Sequence, residues 1–94
     1  MNLVEEITIR LQALQPTELY IEDESAMHAG HAGNTGGGHF KLKMASSHFC
    51  EKSQIMRHRL IYQLLADLIP NQIHALSIQA VTPDELSSIK PQQS

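Results

Sequence analysis

The stretch QIMRHRLIYQLLADLIPNQIHALSIQA, residues 54–80, decides the fold because its hydrophobic period changes once, at Pro70. Up to Ile69 the apolar residues recur at helical spacing, which predicts an amphipathic helix over 55–69. Its apolar stripe consists of Met56, Leu60, Ile61, Leu64, Leu65 and Leu68. Proline disfavours helix at the residue before it, and beyond it the period falls to two, so residues 72–81 are predicted to form a strand. Four residues are expected on its core-facing side: His74, Leu76, Ile78 and Ala80.

The rest of the chain is placed around this helix and strand by the same two periods. Residues 3–14 predict an amphipathic helix, and residues 17–23 predict a strand. Phe40, Leu42 and Met44 alternate with His39, Lys41 and Lys43, which predicts a second strand whose outer face is basic. The sequence TPDE at 82–85 has a threonine cap, a proline and a capping-box glutamate, which together predict a last helix.

The predicted order is therefore α-β-β-α-β-α, and it indicates an α+β fold. A loop between the first two strands favours antiparallel pairing, and a helical crossover between the last two favours parallel pairing. We expect a two-layer sandwich in which a three-stranded mixed sheet has one face covered by helices and the other largely open.

Length and composition restrict the class of protein. The 94 residues allow one domain, expected over 1–90 with a disordered tail at 91–94. No apolar run is long enough to span a bilayer, no secretory signal is visible, and the lone Cys50 fits a reducing compartment, so a cytoplasmic location is expected. The formal charge of −3 argues against broad affinity for nucleic acid. No nucleophilic triad, paired carboxylate site or phosphate-binding glycine loop stands out, so the protein is not expected to be an enzyme.

Basic side chains open the central helix, at Arg57, His58 and Arg59, where the helix dipole disfavours them. One interpretation is a surface for an anion or a partner protein at the helix N-terminus. The other concerns Arg57, which falls within the apolar stripe and could lay its stem over the core while its head reaches solvent or a carboxylate. Both interpretations stay open on the sequence alone.

Histidine is the compositional outlier, with six residues in the chain. His74 begins a strand, where an imidazole could be both rigidly held and reachable, as a metal ligand requires. The glycine-rich loop over 24–38 and the strand after it supply His28, His31 and His39 as companions. The alternatives are a core histidine at His74 and a mobile loop with incidental histidines. A further option is metal binding by this chain alone through the three companions.

Two segments together carry a resemblance to a known family. RHRLIYQLLADL at 57–68 and IHALSIQAVTPDE at 73–85 resemble the BolA family, whose hallmarks are an R-H-R segment opening a helix and an H-A-L segment opening the last strand. HAGHAG in the loop and HFKLKMAS in the second strand are also similar to it. The resemblance covers about residues 1–86 and implies a fold like a class II KH domain without its gripping loop.

The resemblance also implies a function. Proteins of this family pair with monothiol glutaredoxins, and the pair can hold a 2Fe-2S cluster that is also bound by glutathione. His74 corresponds to the principal ligand of the family, and His28 or His39 is expected as the second, with His31 as an extra candidate. The implied role is an adaptor in iron homeostasis or iron-sulfur cluster delivery. The isolated chain is expected to be a monomer, or a weak homodimer, without the cluster.

A second function follows from the same resemblance and belongs to another class. The KH-like fold suggests a DNA-binding transcriptional regulator of stress response and cell morphology. Its contacts would be Lys41, Lys43, Arg57 and Arg59. One departure concerns the turn before the central helix, where the family commonly has glycine and this chain has Glu51, which predicts a differently shaped turn.

Overall fold

The computed structural model describes residues 2–25 and 38–89 and has the predicted order α-β-β-α-β-α. The helices are α1 (Leu3–Leu11), α2 (Gln54–Leu65) and α3 (Pro83–Ile89), and the strands are β1 (Glu18–Asp23), β2 (Gly38–Ala45) and β3 (Ile73–Val81). Short 3₁₀ turns cover Gln12–Leu14, Ser47–Phe49 and Ala66–Leu68. The loop histidines His28 and His31 and the tail at 91–94 lie outside the described residues.

Side-chain caps explain where the helices begin. The Asn2 side chain accepts a hydrogen bond from the Glu5 amide at 2.8 Å, and the Glu5 carboxylate accepts one from the Asn2 amide at 3.2 Å. The Ser53 hydroxyl accepts from the Met56 amide at 3.2 Å and so caps α2. Helix N-termini leave amides without helical partners, and these side chains satisfy some of them.

The sheet is mixed, as predicted, with the strand order β1-β2-β3. Strand β2 pairs antiparallel with β1, where Ile21 lies opposite Leu42, and parallel with β3, where Leu42 lies opposite Ile78. In the layer above, α1 packs near β1 and α2 packs near β3. The α+β two-layer fold predicted from the sequence is confirmed.

The core lies between helices α1 and α2 and one face of the sheet. Its buried apolar residues are Ile7, Leu11, Leu14, Phe40, Leu42, Met44, Phe49, Ile61, Leu65, Leu68, Ile73 and Ala80.

On the surface, Arg10 joins α1 to the end of α2 because its guanidinium binds both Asp67 carboxylate oxygens and donates to the Leu64 carbonyl oxygen at 3.1 Å. No helix in the described ranges is long and apolar enough to cross a membrane.

The buried stripe of α2 differs from the prediction at one end. Met56 was predicted to face the core but is 43% exposed, whereas Arg57 is only 5% exposed. Ile61 lies at the centre of the buried face of α2. Met56 is about 140° around the helix from Ile61, whereas Arg57 is only about 40° from it. The prediction for Met56 was wrong because it assigned too wide an arc of the helix surface to the core.

The start of β3 also differs from the prediction. Gly38 pairs with Ile73 and His39 pairs with Ala75, so β3 has one extra residue at this point, His74. Ile73 is buried and His74 is exposed, which shows that the extra residue inverts the alternation of the strand. His74 was expected on the core-facing side with Leu76 and Ile78, and that expectation was wrong.

Candidate histidine site

The bulge brings two histidines together at one corner of the sheet. The ring centroids of His39 and His74 lie 5.3 Å apart, with the ring planes tilted by 49°. His39 comes from β2 and His74 from the extra position of β3, so both belong to the rigid sheet rather than to a loop. Because His74 is exposed and His39 is partly exposed, the pair is reachable from solvent.

Backbone hydrogen bonds hold His39 in place. Its amide donates to the Ser25 hydroxyl at 3.1 Å, and its carbonyl oxygen accepts from the Glu24 amide at 2.7 Å. Ser25 is itself tied to β1 because its amide donates to the Asp23 carboxylate at 2.9 Å. Hydrogen bonds to the Asp23 carboxylate from the Ser25 side chain and then from the Ser25 amide hold the pKa of Asp23 below its ordinary value. The end of β1 therefore positions the start of β2.

Gly38 allows the strands to approach at the bulge. A Cβ atom on Gly38 would lie 2.4 Å from Cε2 of Phe40 and 3.3 Å from the carbonyl oxygen of Gln72. The Gly38 amide donates to that same carbonyl oxygen at 3.0 Å. Since Phe40 is buried, its ring has little room to move, and a side chain at position 38 would disturb the entry to β2.

A shallow cleft of about 190 Å³ lies beside His39. Its lining residues are Glu24, His39, Phe40, Ala75, Leu76 and Ser77. Neutral imidazole is a common ligand for Zn, Cu and Fe, so the two neighbouring rings are candidate ligands for one metal centre. No group of three or more histidine, cysteine or carboxylate side chains forms a metal site among residues 2–25 and 38–89. The pair would therefore need ligands from elsewhere to complete a coordination shell.

Of the four histidines predicted as ligands, the described structure brings together His39 and His74. His28 and His31 fall outside the described ranges. The other two histidines lie elsewhere: His58 is on α2, and the exposed His48 shares a 3.1 Å hydrogen bond with the Gln15 side chain. Cys50 is an exposed free thiol.

Arg57 does not present its head group at the surface that the R-H-R segment was predicted to form. Its Nη atoms bind the two carboxylate oxygens of Glu85 at 2.7 and 3.0 Å, and Nη1 also donates to the Ala80 carbonyl oxygen at 3.0 Å. Its Nε donates to the Lys52 carbonyl oxygen at 2.9 Å. This is the arrangement of the second interpretation, in which the stem covers the core and the head reaches a carboxylate.

The sequence predicted the role of Glu85 in a helix cap, but it did not identify Arg57 as the ion-pair partner of Glu85. Its Oε1 accepts from the Thr82 amide at 3.0 Å, while the Thr82 hydroxyl accepts from the Glu85 amide at 3.1 Å, which is the predicted capping box. Hydrogen bonds from Arg57 and then from Thr82 lower the pKa of Glu85 to about 2. The TPDE motif predicted the cap, but no sequence signal connects Glu85 to Arg57.

The predicted basic face of β2 is matched by acidic and aromatic residues of β1. Lys41 lies opposite Glu22 and forms an ion pair with Glu24 at 3.6 Å. Lys43 lies opposite Tyr20, with its ammonium 5.9 Å from the ring centroid. The expectation of a basic outer face therefore holds for β2 alone, since the sheet face as a whole is mixed in charge. Arg59 is exposed.

A second cavity lies away from the histidines, at the other end of the sheet. It measures about 450 Å³ and lies where Leu86 of α3 faces Tyr20, Lys43 and Gln79. Its walls contain neither of the paired histidines, so it is separate from the candidate site.

Known proteins share both the sequence pattern and this fold. A family profile described as BolA-like protein matches residues 11–85, more than half of the chain. SufE-like protein 1, chloroplastic/mitochondrial, of Arabidopsis thaliana is 49% identical over 79 residues, covering 78% of this chain but 21% of that protein. The DNA-binding transcriptional regulator BolA of Haemophilus influenzae is 39% identical, covering 76% of this chain and 67% of that protein. The solved structure of BolA1 from Arabidopsis thaliana has a TM-score of 0.79 at 42% identity, covering 90% of this chain and 96% of that one.

Proposed function

The chain belongs to the BolA-like protein family, and on that premise we propose that it is a non-enzymatic adaptor that binds a monothiol glutaredoxin and shares a 2Fe-2S cluster with it. The cluster is cargo held between the two proteins, with glutathione and the glutaredoxin cysteine on one iron. His74 and a second histidine of this chain bind the other iron. Its role is iron homeostasis or cluster delivery in a reducing compartment.

The observation that supports this proposal is the His39–His74 pair. The two rings are 5.3 Å apart, and both lie within reach of solvent and hence of a partner protein. The pair provides only part of a coordination shell, which agrees with a site that a second protein completes. Histidine ligation raises the reduction potential of a 2Fe-2S centre relative to cysteine ligation, which suits a transferable or sensing cluster. Of the loop and strand candidates, His39 is therefore our choice for the second ligand.

The test mixes the purified chain with a cluster-loaded monothiol glutaredoxin and glutathione, and records visible circular dichroism. A new spectrum is expected with the native chain, and it should be lost with His74→Ala and altered with His39→Ala. The matched control is His48→Ala, which removes an exposed histidine whose ring bonds Gln15 instead, and it should give the native spectrum. Far-ultraviolet circular dichroism checks that each variant is folded.

Two outcomes would reject the adaptor function or its ligands. No co-elution with the glutaredoxin and no spectral change would reject the adaptor. If a new spectrum forms but neither His39→Ala nor His74→Ala changes it, the complex with the glutaredoxin stands and this ligand pair is rejected.

The second candidate function is DNA-binding transcriptional regulation, and the observation that favours it is the relative from Haemophilus influenzae that bears that name. In this chain, however, Arg57 is buried in its bonds with Glu85, and Lys41 is paired with Glu24. Counterion release from DNA scales with the number of lysine and arginine residues that contact phosphates. We therefore rank DNA binding below the adaptor function.

A further inference from the structure

The outer edge of β3 is open to pairing. Among residues 2–25 and 38–89, β3 is an edge strand of the three-stranded sheet that pairs only with β2, and it is nine residues long. An edge strand presents unpaired backbone amides and carbonyls that can accept a further strand. Such an edge is a binding surface unless the protein blocks it.

Alternation along the strand identifies the open groups. The Val81 carbonyl oxygen accepts from the Ser46 amide, which follows β2, so Val81 faces β2 and Ala80 faces outward. The bond from Arg57 to the Ala80 carbonyl oxygen agrees with this direction and closes that end of the edge. By the same alternation, Leu76 and Ile78 point their amides and carbonyls outward. Within the described ranges, the Arg57 side chain bonds this edge at the Ala80 carbonyl oxygen.

The two edges of the sheet differ in their chemistry. Strand β1 has the sequence ELYIED and carries three acidic residues, of the kind that discourage pairing with another strand. Strand β3 has the sequence IHALSIQAV, with no aspartate, glutamate, lysine, arginine or proline. Strand β3 therefore has no charged side chain or proline of its own that would discourage pairing, and it places no like charges opposite each other when it pairs with itself.

An apolar strip of α2 borders the same edge. Arg10 of α1 reaches the Leu64 carbonyl oxygen, so Leu64 marks the side of α2 nearest α1. Ile55 and Tyr62 lie about 160–180° around the helix from Leu64, on the flank away from α1. They are 67% and 39% exposed. Because α2 packs near β3, this exposed flank lies on the side of the open edge.

We propose that a second copy of this chain pairs with the β3 edge, antiparallel and about a two-fold axis at Ser77. This register places Leu76 of one copy opposite Ile78 of the other, and both residues point their backbone groups outward. An antiparallel pair of that kind exchanges both of its N–H···O bonds. The Ala80 carbonyl oxygen, which already accepts a hydrogen bond from Arg57, is not needed for this pairing. Pairing joins two three-stranded sheets into one, and it does not depend on cluster binding.

The test is sedimentation equilibrium of the full chain from micromolar to millimolar concentration. A reversible monomer–dimer equilibrium is expected. Ser77→Lys places two lysines opposite each other at the axis and should weaken the dimer by about tenfold. Ser77 is exposed on the open face, so this change should leave the fold intact. The control Thr17→Lys adds the same charge next to β1, at another exposed residue, and should dimerise like the native chain.

Amide hydrogen exchange locates the contact in the same samples. The amides of Leu76 and Ile78 should exchange more slowly as the concentration rises, and Ser77→Lys should remove this protection. A chain that stays monomeric at millimolar concentration would overturn the proposal. Dimerisation that Ser77→Lys leaves unchanged, or that leaves both amides unprotected, would place the contact elsewhere and would also overturn it.

Discussion

Glu51 adopts a backbone conformation that amino acids with a side chain disfavour. Its φ is 61°, in the left-handed region where glycine is free of the steric penalty from Cβ. This is the position at which the BolA family commonly has glycine. The turn before α2 therefore has a backbone shape suited to glycine at position 51.

Glu51→Gly should stabilise the protein. Removing Cβ relieves the left-handed strain, partly offset by the greater freedom of glycine in the unfolded chain, for a net gain of about 0.5–1 kcal/mol. Urea unfolding measures this change. Glu51→Ala is the control, because it removes the charge but keeps Cβ and should not stabilise. An equal gain from both variants would assign the effect to charge rather than to backbone strain.

The Glu85 carboxylate should make stability depend on pH in the acid range. Its pKa in the folded chain is about 2, below the ordinary 4.5, because Arg57 and the Thr82 amide bind the ionised form. A lowered pKa stabilises the folded state above the ordinary value, and this contribution is lost as the pH falls towards the folded value. The difference in unfolding free energy between the native chain and Glu85→Gln should therefore shrink as the pH falls from 4.5 to about 2.

Arg57→Met provides the control for that measurement. Without the guanidinium, the main cause of the lowered pKa of Glu85 is gone, so Glu85→Gln made in this background should show much less dependence on pH. A difference between the native chain and Glu85→Gln that stays constant through the acid range would contradict the bidentate ion pair.

At the scale of elements, the bulge in β3 is what creates the candidate site. A regular parallel register would continue the alternation and direct His74 to the core face. One extra residue instead buries Ile73 and exposes His74 beside His39. The approach of β2 at this point depends on Gly38, whose amide bonds the residue before β3.

Gly38→Ala should destabilise the fold and displace the histidine pair. The added Cβ would overlap the buried ring of Phe40 at 2.4 Å, and overpacking of this kind costs about 1–3 kcal/mol. Thermal or urea unfolding measures the cost, and the nuclear magnetic resonance shifts of both histidine rings report the displacement. His39→Ala is the control, because it removes a partly exposed ring without adding volume and should cost less. Unchanged stability and unchanged ring shifts in Gly38→Ala would show that the entry to β2 tolerates a side chain.

At the scale of the whole molecule, charge pairing limits what the open sheet face can bind. Lys41 of β2 pairs with Glu24, just after β1, and Lys43 lies over Tyr20 of β1, while the chain carries a formal charge of −3. Long-range attraction to a polyanion is correspondingly weak.

Replacing both Lys41 and Lys43 by glutamine should change DNA affinity little. The reason is that each ammonium already has a partner, Glu24 just after β1 for Lys41 and Tyr20 on β1 for Lys43. Fluorescence anisotropy with duplex DNA over a series of salt concentrations measures the affinity and its slope. A steep slope in the native chain that falls by about one for each lysine removed would show that they contact phosphates, and would favour the regulator function.

The sequence by itself determined the order of the elements, the mixed sheet, the capping box at Thr82 and the family. These features follow from hydrophobic period, caps and turn residues, which act between residues close together in the chain. The tertiary structure alone decided which face of β3 His74 occupies and which carboxylate binds Arg57. It also decided that His39 lies next to His74. Each of these depends on the register between β2 and β3 or on a contact between distant residues. Packing sets such contacts, and no local pattern encodes the extra residue that turns His74 outward.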